Sequence, residues 1–225
     1  MKKTKMIGLL LAAVMGIAML TGCGESDESL SKKAYNRVRA DAANAVHYRT
    51  ERTAAYNGEE EEIAPTEVWY VDAETWAYKV TWPEIDEEQL VVKTNGEILA
   101  KWNDTEWTQL EENMVMPPIS GNAQPEWEEL EMIFVSHEKK NDLYSITWNK
   151  EIDLDGSGNM TTATWTFTFN ERNELVLWET QSEMPIEAEI EIEALMKGKT
   201  EYFSFSTQEV QKDIDAMYAE ATKES

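Results

Sequence analysis

A single cysteine among 225 residues leaves no partner for an internal disulfide, so the fold must be held by packing alone. Histidine is nearly as scarce. His47 and His137 are the only two, and neither stands at the spacing of a second metal ligand, so a zinc hydrolase or a Ser-His-Asp arrangement lacks its parts. There is no phosphate-cradling glycine loop. Basic residues number 20 against 44 acidic ones, a formal net charge of −24, and such a surface repels nucleic acid and anionic lipid headgroups. So many acids guarantee chance carboxylate pairs, and no pair stands out as a glycosidase couple. The expectation is a chain that is not an enzyme, holds no cofactor or metal and binds no nucleic acid. No internal repeat is evident, and no Gly/Ser linker divides the chain. What is abundant is aromatic: nine tryptophans and eight tyrosines supply the apolar mass that a modest aliphatic content does not.

The N-terminal residues have a different character from the rest. Lys2, Lys3 and Lys5 precede an uncharged run over residues 6–20, giving a basic n-region and an apolar h-region. That run is shorter than the ~20 apolar residues a spanning helix needs. It ends in Leu20, Thr21, Gly22 and Cys23, and residues 23–28 form a polar tether. These four positions resemble the lipobox of bacterial lipoproteins. The resemblance implies cleavage after residue 22, a diacylglyceryl group on the Cys23 thiol, and attachment to the extracytoplasmic face of the cell membrane. Each buried acyl methylene contributes about 0.8 kcal/mol, and two chains make the attachment stable where one is marginal. Beyond the leader the chain carries 17 basic against 44 acidic residues. At this length it makes one domain, residues 29–225.

Within that domain, Leu30, Ala34, Val38 and Ala42 recur every four residues and predict a helix over residues 29–45. From Val46 the period becomes two. Strands are expected over residues 46–56, 67–72 and 75–82, with residues 58–62 as an acidic turn. Trp76, Tyr78, Val80 and Trp82 share one face of the third strand. Residues 89–110 read as a three-stranded meander turning at Asn95-Gly96 and Asn103-Asp104, residues that tolerate positive φ. The segment 111–124 carries Met114, Met116, Pro117 and Pro118, and a loop of this length is expected to act as a lid or binding loop. A short helix is expected after Pro125, through Trp127, Leu130, Ile133 and Phe134. Strands then resume over residues 144–148, 162–169, 174–181, 186–193 and 200–206, with a turn at Gly198. Ser206 and Glu209 read as a capping box opening a last helix to about residue 222. Asp153, Asp155, Ser157 and Gly158 imitate a calcium loop, but Thr164 stands where the bidentate glutamate belongs, so a hairpin turn explains the stretch through Asn159.

The sum is an α+β chain, mostly antiparallel β: a curved meander sheet or incomplete barrel of about eleven strands, with helices on its concave side. An N-terminal helix, six meandering strands, a helix-bearing interruption and further strands resemble the LolA-like lipoprotein-carrier half-barrels over residues 29–206. That resemblance implies a hydrophobic or amphiphilic ligand, such as a lipid, held against an aromatic concave face. The C-terminal helix falls outside the resemblance and has the length to fill such a groove. Candidate ligand-binding residues are Trp76, Tyr78, Trp82, Trp165 and Phe167, with Met114 and Met116 in the lid. The same aromatics equally read as core beneath the helices. A second function is a cell-surface adaptor, binding a protein or glycan partner through its acidic outer face, residues 186–193 included.

Overall fold

The computed structural model describes residues 25–39, 45–56, 59–115, 117–118, 125–153, 160–186 and 192–223. Cys23, Met116, most of the calcium-like stretch and most of residues 186–193 lie outside the described residues.

Eleven antiparallel strands form one open, curved sheet. They are β1 (Val46–Tyr56), β2 (Glu59–Asp72), β3 (Thr75–Trp82), β4 (Glu87–Thr94), β5 (Glu97–Trp102), β6 (Thr108–Gln109), β7 (Ile133–Lys140), β8 (Leu143–Asp153), β9 (Met160–Phe169), β10 (Leu175–Ile186) and β11 (Ile192–Ser204). Helix α1 (Asp27–Val38) precedes them and α2 (Thr207–Ala221) follows. The spatial order is β6-β5-β4-β3-β2-β1-β11-β10-β9-β8-β7. The chain therefore starts at the centre, walks out to the β6 edge, crosses to the β7 edge, and walks back until β11 pairs with β1. The segment joining β6 to β7 has to traverse the whole width of the sheet.

The register decides which side chains share a face. Tyr48 stands opposite both Val68 and Tyr202, Val68 opposite Tyr78, and Tyr78 opposite Val91. On the other side of the centre Trp178 pairs with Phe167, and Phe167 with Ile146. These residues make one continuous aromatic face. Trp69, Ala77, Val92 and Leu99 alternate with them and point to the reverse face.

The helices divide between the two faces, which differs from the expectation that both close the concave side. Leu30, Ala34 and Tyr35 of α1 pack on the aromatic face against Trp148, Phe167 and Leu175. Val210, Ile214 and Ala221 of α2 pack on the reverse face against Trp69, Ala77 and Val92. The cause lies in the β2–β5 strands, which are apolar on both sides there and so need a second cover. Tyr218 of α2 also donates to Glu97, and Lys101 contacts Glu220 at 2.7 Å, so the helix is tied to β5.

Several sequence-based boundaries move. Helix α1 is capped by Ser26, whose hydroxyl accepts from the Ser29 N–H at 3.2 Å, and it stops at Val38. The expected acidic turn at residues 58–62 is largely strand: Glu59 to Glu62 pair with Tyr56 to Thr53, and Lys197 offsets charge at Glu60. After Pro125 there is one 3-10 turn, Trp127–Leu130, closed by Glu131 at φ 52, and Ile133 and Phe134 belong to β7. Gly198 is no turn. It sits inside β11 opposite Arg52 and Thr180, where a Cβ would lie 2.7 Å from Thr180 Oγ1. Close approach of a neighbouring side chain explains this glycine. Ile186 and Ile192 pair at the ends of β10 and β11, and the rest of the strand expected over residues 186–193 lies largely outside the described residues. Strand β7 is not among the expected strands.

Turn chemistry follows the sequence closely. Asn95 and Gly96 have φ of 55° and 77°, and Asn103 has φ of 48°. At α2, Ser206 caps the Glu209 N–H at 3.4 Å. The Glu209 carboxylate does not reach the Ser206 amide; it accepts from Ser204 Oγ at 2.5 Å, and that oxygen accepts the Ser206 N–H. The box is closed through one intervening hydroxyl.

Candidate functional site

The described parts of the strand-crossing segment lie on the aromatic face in two regions, Trp127 and Leu130 in one and Leu110, Val115 and Pro118 in the other. Above β8–β10 the cover is close, with Ile146 and Phe167 fully buried and Trp165 and Trp178 partly so. Tyr35 of α1 lies 5.9 Å from both Trp127 and Trp165, Trp127 stands edge-on to Trp148 at 5.4 Å, and Phe167 stacks on Trp178 at 5.4 Å. Two polar handles fix the layer: Trp148 Nε1 donates to Ser31 Oγ at 2.9 Å, and the Tyr35 hydroxyl donates to the Pro125 carbonyl at 2.8 Å. Asp27 accepts from the Tyr144 hydroxyl at 2.6 Å and contacts His137 Nδ1 at 2.7 Å, which pins the start of α1 to β7 and β8. Burial and the Asp27 charge both push the Tyr144 phenol pKa upward.

Above β1–β3 the cover is partial. Leu110 and Val115 pack on the cluster of Val68, Trp76 and Val91. Lys93, which shares this face, holds the strap at Glu112 at 3.0 Å and the β2–β3 turn at Glu74 at 3.4 Å. The Glu112 hydrogen bond chiefly raises the Lys93 pKa. Beyond this contact an open cavity of about 300 Å³ remains, with Pro118 of the strap on one side and the sheet on the other. Its floor is Tyr48, Val68, Tyr78 and Val80; Thr50 and Thr66 add hydroxyls; Arg52, Ile63 and Ala64 form the lip. Thr50 Oγ1 already accepts from Thr200 at 3.2 Å. Burial pushes the Tyr48 phenol up to about 12 against the opposing pull of Arg52. Burial raises Tyr202, its neighbour at 6.0 Å between ring centroids, further still. Both are neutral hydroxyls at physiological pH, so the floor is uncharged.

Of the six described candidate residues, Tyr78 lines this cavity. Trp76 is 2% exposed beneath it, stacked on Tyr78 at 5.9 Å, and its indole N–H has no hydrogen-bond partner among the described residues. Trp82 stacks on Trp102 at 5.3 Å, toward the β5 side. Phe167 and Trp165 lie in the sealed region, where Phe167 is fully buried. Met114 is 65% exposed in a 3-10 turn, Glu112–Met114, so the strap meets the cavity through Pro118 instead. Sequence reasoning misses Tyr48, Thr50, Arg52, Val68 and Val80 as site residues. The alternation of β1 is legible, but its central place beside β11 depends on a pairing across most of the chain.

Among the described residues, the reverse face over β8–β11 has no helix on it, and it is polar. Glu51, Thr166, Glu179, Lys197 and Lys199 line a shallow groove of about 450 Å³. Elsewhere on that face His47 stacks on Trp69 at 4.7 Å and its Nε2 contacts Glu67 at 2.8 Å, which holds the Glu67 carboxyl below the usual range. Among the described residues no three His, Cys, Asp or Glu side chains converge as metal ligands, and no helix is long and apolar enough to cross a membrane.

No protein-family model matches the sequence. No curated protein matches it either. Among solved structures, a LolA superfamily protein from Nitrosomonas europaea is similar over 84% of this chain and 99% of that one, at 10% sequence identity and a TM-score of 0.31.

Proposed function

We propose that this chain is a non-enzymatic lipoprotein, held on the extracytoplasmic face of the membrane by acyl chains at Cys23, that binds a hydrophobic or amphiphilic ligand on the aromatic face. One observation carries the binding half of this reading: the C-terminal helix packs on the reverse face, so the region over β1–β3 keeps an open cavity of about 300 Å³ with an aromatic and aliphatic floor. Ligand pockets of drug-sized molecules run from about 300 to 1,000 Å³, so the volume suits one acyl chain rather than several. The lipobox at residues 20–23 supports the address.

Native mass spectrometry of the protein extracted from membranes tests both halves. Wild type is expected to carry a co-purifying small amphiphile. Val80→Trp, which fills the floor, is expected to fold and to lose it, and Cys23→Ser is expected to leave the membrane fraction. Wild type with no bound species, or Val80→Trp retaining it in full, would defeat the binding reading. The adaptor reading draws on the polar groove of the reverse face. It predicts a protein or glycan captured by wild type and lost in Lys197→Glu, with cavity occupancy unchanged.

A further inference from the structure

We infer that the cavity ligand is an amphiphile with an anionic headgroup, and that Arg52 is the residue that recognises it; this rests on the cavity being a ligand site at all. Several cations form no ion pair among the described residues, Lys139, Lys140, Lys150, Lys212 and Lys223 included, but Arg52 is the one that lines the cavity. Lys93 on the same face has two, Glu112 and Glu74. Lys32, Lys33, Lys79, Lys101, Lys197 and Lys199 each have at least one. Arg52, at the cavity lip, forms no ion pair among the described residues.

The register explains why. Its cross-strand neighbours on the aromatic face are Ile63 on β2 and Gly198 on β11, one apolar and one without a side chain. Glu61, the nearest carboxylate by register on that face, lies one pair further along opposite Ala54 and does not close on it. Thr180 fills the space over that glycine with a neutral hydroxyl, so no carboxylate approaches from β11 there. Ile63, 40% exposed, continues the apolar floor out to that lip.

Arg52, Thr50 and Tyr48 alternate on one side of β1, so the charge stands about 13 Å from the deep end of the floor at ~3.3 Å per residue. A linear amphiphile fits this arrangement in one direction: the tail along Thr50, Tyr48 and Tyr78 beneath Pro118, the anion at the mouth. A planar guanidinium presents paired N–H donors that match carboxylate or phosphate oxygens. The strongly acidic shell elsewhere repels such an anion, which leaves this lip as its favourable contact on the floor.

Isothermal titration with dodecanoate, dodecyl phosphate and dodecanol, the two anions below their micelle concentrations, tests the assignment on the Cys23→Ser protein in detergent-free buffer after removal of bound lipid. Both anions are expected to bind about tenfold more tightly than the alcohol. Arg52→Gln is expected to abolish that difference while dodecanol binds as before, and Arg52→Lys to keep part of it. A phosphate-only or carboxylate-only preference that Arg52→Gln removes identifies which head is taken. Equal affinity of all three for wild type, or an anion preference surviving in Arg52→Gln, overturns the assignment and leaves the cavity reading intact. Failure of all three to bind overturns the cavity reading together with it.

Discussion

The β8–β10 and β1–β3 regions of the aromatic face are built from the same kinds of side chain, yet one is sealed and the other is open. Over β8–β10 a helix and a 3-10 turn lay down a second aromatic layer, and polar edges in it meet hydrogen bonds, as Trp148 does at Ser31 and Tyr35 at Pro125. Over β1–β3 the cover is a strap held by Lys93 and two carboxylates, with Pro118 as its contact with the cavity. The difference teaches that aromatic content does not distinguish core from site. What distinguishes them is whether the covering segment has a helical stripe to interdigitate with the sheet. Residues around Pro117 and Pro118 cannot form one.

The comparison breaks most sharply at Phe167. It is fully buried in the sealed region, so Phe167→Ala should lower stability by about 3–5 kcal/mol in urea denaturation. A loss under about 1 kcal/mol would mean the layer is looser than its packing indicates. Ser31→Ala is next. It leaves the Trp148 indole N–H buried and unpaired, at a cost of about 1–3 kcal/mol by the same assay.

Beneath the open region the expected effects shrink. On the reverse side of β2, Glu67 is held below the ordinary carboxylate range chiefly by His47, so its contribution to stability is present above about pH 4.3 and is lost as pH falls through its lower folded value. Both side chains still touch solvent, at 16% and 21% exposure, which holds the contribution to about 1 kcal/mol. Glu67→Gln should therefore reduce stability at pH 6 and match wild type at pH 2, and a gap that persists at pH 2 would assign the effect to packing. Smallest is Met114→Ala: a 65% exposed side chain should change stability by less than about 0.5 kcal/mol and leave ligand affinity unchanged. A larger loss of binding would place Met114 over the cavity in the bound state.

Much of the architecture is legible in the order of the residues. Trp76, Tyr78, Val80 and Trp82 alternate without interruption, and β3 has the bounds that alternation predicts. Asn95-Gly96 and Asn103 announce their turns because few other residues take positive φ at so little cost. Sequence reading fails where a local signal competes with a distant partner. Glu59 to Glu62 read as a solvated turn, yet strand pairing with β1 and a lysine from β11 hold them extended. Ile133 and Phe134 continue a helical spacing from Trp127, but β8 recruits them into a strand. Gly198 signals a turn in isolation, and the crowding that requires it comes from Thr180 on the adjacent strand.

The candidate site divides along the same line. Tyr78 can be named from its own strand. Tyr48 and Arg52 cannot, because β1 is unremarkable until β11 lies beside it.

By itself the sequence determined the antiparallel meander, the strap and the caps, since each is written in residues a few positions apart. Only the tertiary structure decided that α2 covers the reverse face, that the strap lies on an aromatic surface, and that Arg52 stands between an isoleucine and a glycine at the mouth of a cavity. Those outcomes depend on which strands become neighbours, and β1 meets β11 only after the intervening chain has gone out to one edge of the sheet and returned from the other.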